Sequence, residues 1–173
     1  MPAATAQQTV GPYWHLLQDP RLADLTRFGA PGPAIVLQGR LFDGDGSAVT
    51  DACVELWQAD PPASELFLGF GRSGADKSGQ YGFVTLKPGP LRGRGNATEA
   101  PHVALAIHAR GLTRPLFTRA YFAGDPLNEN DPLLGLIGDP VRRASLLAEP
   151  AGANTWQLDI RLRGNHEVVF LDV

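Results

Sequence analysis

The chain has 173 residues, which is enough for one domain that buries roughly 70% of its unfolded surface without a disulfide or a metal staple. Its single cysteine excludes a disulfide framework, a zinc ribbon and an iron–sulfur site made by this chain, and its 15 basic against 18 acidic residues argue against binding nucleic acid. The 20 glycines and 15 prolines leave little room for long helices and favour short strands joined by turns.

The sequence also predicts a protein with no membrane span and no secretion signal. Its apolar runs are too short to cross a bilayer, and its N-terminus lacks the basic start and apolar core of a signal peptide. We therefore expect a cytoplasmic, reducing environment. Cys53 lies between apolar neighbours in a predicted strand and is expected to be a buried structural thiol.

Short apolar segments bounded by glycine and proline predict the first strands. Residues 34–42 form one of them, although Gly39 interrupts its alternation. The Asp-Gly-Asp-Gly sequence at 43–46 predicts a tight turn, since it lacks the further ligands and the terminal glutamate of a calcium loop. Residues 52–58 are apolar on both parities, which is typical of a strand in a sandwich core, and residues 81–87 form a third strand.

The second half of the chain adds two strands, a helix and a hairpin. Residues 102–110 alternate between two faces, and residues 116–122 form the next strand. An aspartate N-cap followed by proline predicts a helix over residues 140–148. Residues 155–163 and 166–171 predict a hairpin joined by a two-residue Gly-Asn turn.

These elements predict an all-β protein, a single antiparallel β-sandwich with one short helix and an extended N-terminal arm. We expect one domain over residues 1–173, with the arm and loops in residues 1–33 and the sandwich core in residues 34–173. Residues 1–12 are small and polar, and we name them the N-terminal arm.

The four histidines do not predict a metal site made by this chain alone. His102 and His108 share one face of a strand, but six residues of extended chain place them about 20 Å apart. Two imidazoles on one metal lie within about 4 Å of each other. His15 and His166 have no partner ligand at metal-binding spacing.

A series of short phrases nevertheless runs through the chain. They are QTVGPY at 8–13, VELWQAD at 54–60, FGR at 70–72, GQYGF at 79–83, KPGP at 87–90, APH at 100–102, ARG at 109–111, TRAYF at 118–122, GD at 124–125 and DIRL at 159–162. Each phrase alone is weak, but the ordered series is highly specific. In this order the chain resembles the intradiol ring-cleaving dioxygenases from about residue 7 to the C-terminus, and that family has a β-sandwich core.

The resemblance implies a reaction at non-haem ferric iron, held by two tyrosinates and two histidines, where a catechol binds and dioxygen attacks the ring between its hydroxylated carbons. The tyrosine that follows Pro-Gly-Pro in the family corresponds to Leu91, and the two histidines correspond to His102 and Ala104. The stretch that should hold the other tyrosine, residues 61–69, contains none, and Glu99 replaces an arginine. The resemblance therefore implies vestigial ligand positions and no iron bound by this chain.

This departure matches a branch of the family in which an α subunit without iron pairs with a homologous, iron-bearing β subunit. The resemblance implies that Fe(III) lies in the β subunit, and that the hetero-oligomer cleaves the small aromatic substrate protocatechuate with O2 to 3-carboxy-cis,cis-muconate. The substrate-binding residues that it implies for this chain, all lining the partner's pocket, are Thr9, Gly11, Pro12, Tyr13 and Arg110. A guanidinium can pair with the substrate carboxylate, and a phenol can donate a hydrogen bond.

Other readings of the same residues stay open. Arg110 could form a salt bridge, Tyr13 could anchor an interface, and His102 could be a satisfied histidine in a vestigial pocket. One alternative function is a self-sufficient dioxygenase acting on catechol or hydroxyquinol. The missing iron ligands argue against this alternative. The other is a non-enzymatic β-sandwich binding module that reuses the fold.

Overall fold

The computed structural model describes residues 6–11 and 13–172. In these residues, eleven strands form the fold, and short helical segments connect some of them. The strands are β1 (Ala34–Phe42), β2 (Cys53–Trp57), β3 (Phe70–Gly74), β4 (Gln80–Leu86), β5 (Leu91–Arg92), β6 (Thr98–Glu99), β7 (His102–His108), β8 (Leu116–Phe122), β9 (Leu147–Gly152), β10 (Thr155–Gln157) and β11 (Ile160–Arg161). The helices are α1 (Pro132–Leu136) and α2 (Pro140–Ala144), with 3-10 segments at Trp14–Leu17, Pro20–Ala23 and Pro126–Asn130.

Two groups of strands are joined through β9. The first group has the order β4-β1-β10-β9, with β11 also pairing with β1, and the second has the order β9-β8-β7-β2-β3. Strands β5 and β6 form a separate two-stranded ladder. The apolar faces of both groups contribute to one core cluster, which includes Leu37 of β1, Leu56 of β2, Phe83 of β4 and Leu105 of β7.

The main sheet is mixed, so the predicted all-β class is confirmed but the prediction of a purely antiparallel sandwich was wrong. Strand β1 pairs in parallel with β10 and β11, and β8 pairs in parallel with β9. Parallel neighbours need a crossover connection, whereas antiparallel neighbours can be joined by a tight turn. Residues 123–146 form the crossover from β8 to β9 and contain both α-helices.

The predicted hairpin at the end of the chain was also wrong. A turn does form there, since the N–H of Glu167 donates to the carbonyl oxygen of Gly164 at 3.1 Å. Residues 166–171 then form no strand, apart from a single bridge between Leu171 and Phe117. The preceding segment pairs instead with the free edge of β1, which supplies its backbone hydrogen-bonding partners.

The predicted helix is shorter than expected, and the described residues contain two α-helices where one was predicted. The side chain of Asp139 accepts a hydrogen bond from the N–H of Val141, so the predicted N-cap is confirmed. Helix α2 ends at Ala144 because the chain turns into β9. Helix α1 arises in a segment expected to be loop, and Asp131 caps it. Among the described residues, no helix is long and apolar enough to cross a membrane.

Gly39 interrupts the alternation of β1 for a steric reason. A Cβ at this position would lie 1.8 Å from the carbonyl oxygen of Leu158 and 3.0 Å from the ring of Tyr81. The hydroxyl of Tyr81 donates to that same carbonyl at 2.7 Å. A residue without a Cβ therefore lets β1 approach the backbone between β10 and β11.

We predict that Gly39→Ala lowers the free energy of unfolding by about 3 kcal/mol, because the new methyl group would overlap a backbone carbonyl and force the strands apart. Denaturant unfolding followed by tryptophan fluorescence measures the loss. Gly82→Ala in neighbouring β4 is the matched control, since its Cβ would meet nothing closer than 3.7 Å. Equal unfolding midpoints for the two variants would contradict this explanation.

Candidate functional site

Thr9 attaches the N-terminal arm to the turn that follows β7. Its hydroxyl donates to the carbonyl oxygen of Ala109 at 3.1 Å and accepts from the N–H of Gly111 at 3.0 Å. Gly111 has a φ of +87°, a backbone conformation that favours glycine. The structure therefore brings the arm and the Ala-Arg-Gly phrase, which are 100 residues apart in sequence, to one place.

Arg110 lies in this turn, beyond the end of β7 and not inside the strand as predicted. Its Nε donates to the carboxylate of Asp51, which lies in the turn before β2. The Arg110 side chain is 65% exposed, against 29% for Asp51. Among the described residues, Nε is the guanidinium atom that has a protein partner, which leaves the terminal nitrogens available to a ligand.

The other predicted residues of this region lie near the same turn. Tyr13 precedes the 3-10 segment Trp14–Leu17 and is 71% exposed. The indole N–H of Trp14 donates to the main-chain oxygen of Asp51 at 3.0 Å, which places this segment beside Arg110. Gly11 is exposed, and a Cβ there would meet nothing within 4 Å. Pro12 lies outside the described residues.

A cleft of about 250 Å³ lies beneath these residues, against the outer face of β2, β3 and β7. Glu55 pairs with Arg72 at 2.5 Å, and Nε2 of His108 lies 3.5 Å from the other carboxylate oxygen of Glu55. The residues that line the cleft are Val10, Trp14, Gln18, Cys53, Glu55, Arg72 and His108. Sequence reasoning missed this grouping, although Glu55 and Arg72 both belong to the family phrases.

Cys53 is a free, buried cysteine at the edge of this cleft. Burial raises the pKa of its thiol to about 11, because the thiolate is disfavoured away from water. A thiol with such a pKa is a poor nucleophile at neutral pH. The predicted burial of the Cys53 thiol is therefore confirmed.

The positions that the resemblance aligned with iron ligands form a second region at the opposite end of β7. Leu91 lies opposite Glu99 in the β5–β6 ladder, and Ala104 lies opposite Arg119 between β7 and β8. His102 is buried, and its Nδ1 donates to the carbonyl oxygen of Ala100 at 2.8 Å. Its Nε2 lies 3.6 Å from a carboxylate oxygen of Glu99.

Arg119 joins the polar groups of this second region. Its Nη1 donates to Glu99 at 2.7 Å and to the hydroxyl of Tyr121 at 3.1 Å. The Tyr121 hydroxyl in turn donates to Asp131 at 3.2 Å, and burial raises the pKa of this phenol. Asp131 is itself 1% exposed and accepts the N–H of Ala100 at 2.8 Å. The network thus satisfies its own charges within one chain.

These residues do not fit the ferric iron that the fold family implies. Leu91 and Ala104 offer no donor atom, and the guanidinium of Arg119 would face the ion with charge of the same sign. Glu99 is already engaged by that guanidinium. In the part of the chain that the structure describes, no group of three or more histidine, cysteine, aspartate or glutamate side chains could hold a metal ion.

The fold defines an all-β class of protein, and two of the positions that the resemblance aligned with iron ligands, Leu91 and Ala104, carry aliphatic side chains. A family model described as Dioxygenase matches residues 12–164. The chain belongs to this dioxygenase family, as the ordered phrases predicted.

Relatives are similar over nearly the whole chain. It is 34% identical to the protocatechuate 3,4-dioxygenase alpha chain of Pseudomonas putida, over 97% of this chain and 96% of that one. It is 36% identical to the alpha chain of the same name from Burkholderia cepacia, over 98% of this chain and 97% of that one. The Burkholderia cepacia beta chain is 34% identical, over 77% of this chain and 66% of that one.

A solved structure with the same fold is the dioxygenase domain of a dioxygenase–carbohydrate-binding protein fusion from Streptomyces sp. SirexAA-E. The TM-score is 0.65 at 23% identity, over 95% of this chain and 98% of that chain. At this identity the likeness shows the fold alone.

We predict that acidification below about pH 6.5 lowers the free energy of unfolding, in part through His102. Burial lowers the pKa of His102, and nearby Arg119 adds to this, whereas Ala100, Glu99 and Asp131 oppose it. The unfolded chain therefore binds a proton at a pH where the folded chain does not, so stability is lost as pH falls.

His102→Gln should reduce this slope in denaturant titrations between about pH 5 and 7. His166→Gln is the control, since His166 is exposed, and it should leave the slope unchanged. If the free energy of unfolding of His102→Gln changed with pH as steeply as that of the wild type, groups other than His102 would carry the pH dependence.

Proposed function

We propose that this chain is the non-iron-binding α subunit of a protocatechuate 3,4-dioxygenase and pairs with a homologous, iron-bearing β subunit. The observation that carries the proposal is the loss of the ligand set, with aliphatic side chains at Leu91 and Ala104 and the Glu99–Arg119 ion pair beside His102. Similarity to two alpha chains over nearly their whole length supports the same role. In this proposal the Fe(III) cofactor and its ligands belong to the β subunit.

The proposed complex cleaves protocatechuate with O2 to 3-carboxy-cis,cis-muconate, and this chain supplies part of the wall of the substrate pocket. The residues that we propose for this wall are Thr9, Gly11, Pro12, Tyr13 and Arg110. The exposure of Tyr13 and Arg110 supports this role, because both side chains remain able to meet a partner. A guanidinium suits the carboxylate of protocatechuate, and the Tyr13 hydroxyl can donate a hydrogen bond.

We further propose that residues 1–173 act as one domain, with the arm and loops in residues 1–33. The core cluster supports this, since it extends from Leu25, before β1, to Val168, near the C-terminus.

We predict that the isolated chain binds no stoichiometric iron and cleaves no catechol, whereas its complex with the β subunit does both. Metal analysis, the visible tyrosinate-to-iron band and oxygen uptake measure the difference. Without its partner the chain should self-associate, because a shared active site implies a large interface. A coloured, catechol-cleaving isolated chain would favour the self-sufficient dioxygenase, and a stable monomer without affinity for the β subunit would favour the binding module.

We predict that Arg110→Ala in the reconstituted complex raises KM for protocatechuate about tenfold, the equivalent of about 1.4 kcal/mol, because a charged partner of the substrate carboxylate is lost. Iron content should stay unchanged, since Arg110 is not a ligand. Steady-state oxygen uptake gives KM and kcat, and Arg114→Ala provides a control at an exposed arginine four residues away. Unchanged kinetics in Arg110→Ala would remove Arg110 from the pocket.

A further inference from the structure

Asp51 contacts Arg110 of the proposed substrate-binding surface and Trp14, the residue that follows Tyr13 of that surface. Its carboxylate accepts a hydrogen bond from Nε of Arg110, and its main-chain oxygen accepts the indole N–H of Trp14 at 3.0 Å. These partners lie 59 and 37 residues away in sequence, so no local pattern reveals the grouping. The Asp51 side chain is 29% exposed and is the more buried member of the ion pair.

The atom that Asp51 engages determines what the guanidinium can still bind. A guanidinium has five N–H donors that lie in one plane. A carboxylate that approaches Nε occupies one edge of the group. The terminal nitrogens then remain for a second carboxylate, which can bind two of them at once. An untethered arginine would instead lose its rotamer freedom only when the ligand arrives, which costs affinity.

We propose that Asp51 is a positioning residue that orients Arg110 toward the carboxylate of the aromatic substrate, an inference that rests on the proposed function of Arg110. Asp51 acts through Arg110 and does not touch the substrate itself. Its main-chain bond to Trp14 holds the segment after Tyr13 against the same turn, so this segment and the guanidinium share one support. Substituting the Asp51 side chain removes the bond to Arg110 and leaves the main-chain acceptor for Trp14.

The test compares Asp51→Ala with wild type in the reconstituted αβ complex, with protocatechuate as substrate. We expect KM to rise about threefold to tenfold, with kcat and iron content nearly unchanged. Asp51→Glu should restore part of the affinity. Glu167→Ala is the matched control, since Glu167 is a 34% exposed carboxylate that pairs with Arg142 at 3.9 Å, and its KM should stay at the wild-type value. Asp51→Asn replaces Asp51→Ala if the alanine variant does not assemble.

A double-mutant cycle with Arg110→Ala separates the two proposals. If Asp51 acts through Arg110, Asp51→Ala should add nothing to KM in the Arg110→Ala background. A normal KM in Asp51→Ala beside a raised KM in Arg110→Ala would overturn the positioning role and leave the proposed function intact. An equal effect of Asp51→Ala in both backgrounds would also overturn it. Normal KM values in both single variants would remove Arg110 from the pocket and overturn the positioning role of Asp51 with it.

Discussion

Strand β7 separates the two polar regions of this protein. It is paired on both sides, with His108 opposite Cys53 of β2 and His102 opposite Tyr121 of β8, so its path cannot shift without breaking two ladders. At about 3.3 Å per residue, its seven residues span about 20 Å. His102 at its start and Arg110 beyond its end therefore cannot act on one small ligand. The region around His102 is closed, because its polar groups bond to one another within the chain. The region around Arg110 is open at the surface.

The closed region is stable because its charges are paired within the chain. The Arg119 and Glu99 side chains are only 23% and 22% exposed, and removing one partner of such a pair leaves a charge without compensation. Asp131 caps α1 through the N–H groups of Leu133 and Leu134 while it accepts the hydroxyl of Tyr121. The crossover between β8 and β9 is thus attached to the network, so the region stabilises the fold although it lacks a ligand set.

The sequence predicted those features that depend on nearby residues. Strand β8 has the bounds that the sequence predicted, and the Asp139 cap forms as expected. The parallel pairing of β1 with β10 and β11 was missed, because which edge a late segment joins depends on contacts more than 100 residues apart. The local turn at Gly164 forms, but the flanking segment finds its partners on β1.

The same distinction applies to the two polar regions. The positions that the resemblance aligns with iron ligands could be assigned from sequence because each stands at a fixed offset within a phrase, such as Leu91 directly after Pro-Gly-Pro. Asp51 and Arg119 could not be assigned a role in this way. Asp51 pairs with Arg110, which is 59 residues away in sequence, and Arg119 is placed by the pairing of β7 with β8. Long-range ion pairs follow from topology, and the mixed topology itself was not predicted.

The hydrogen bonds of the arm affect what association with a partner costs. An arm that is disordered before binding loses its backbone freedom at that moment, at a cost of about 1–2 kcal/mol per ordered residue. Thr9 of the arm and Trp14, just after the arm, are already bonded to the body of the same chain, so part of this cost is met during folding. More of the interface energy is then available as affinity. In the proposed role this chain contributes a shaped surface to the chemistry, and the hydrogen bonds of Thr9 and Trp14 hold part of that surface in place before a partner binds.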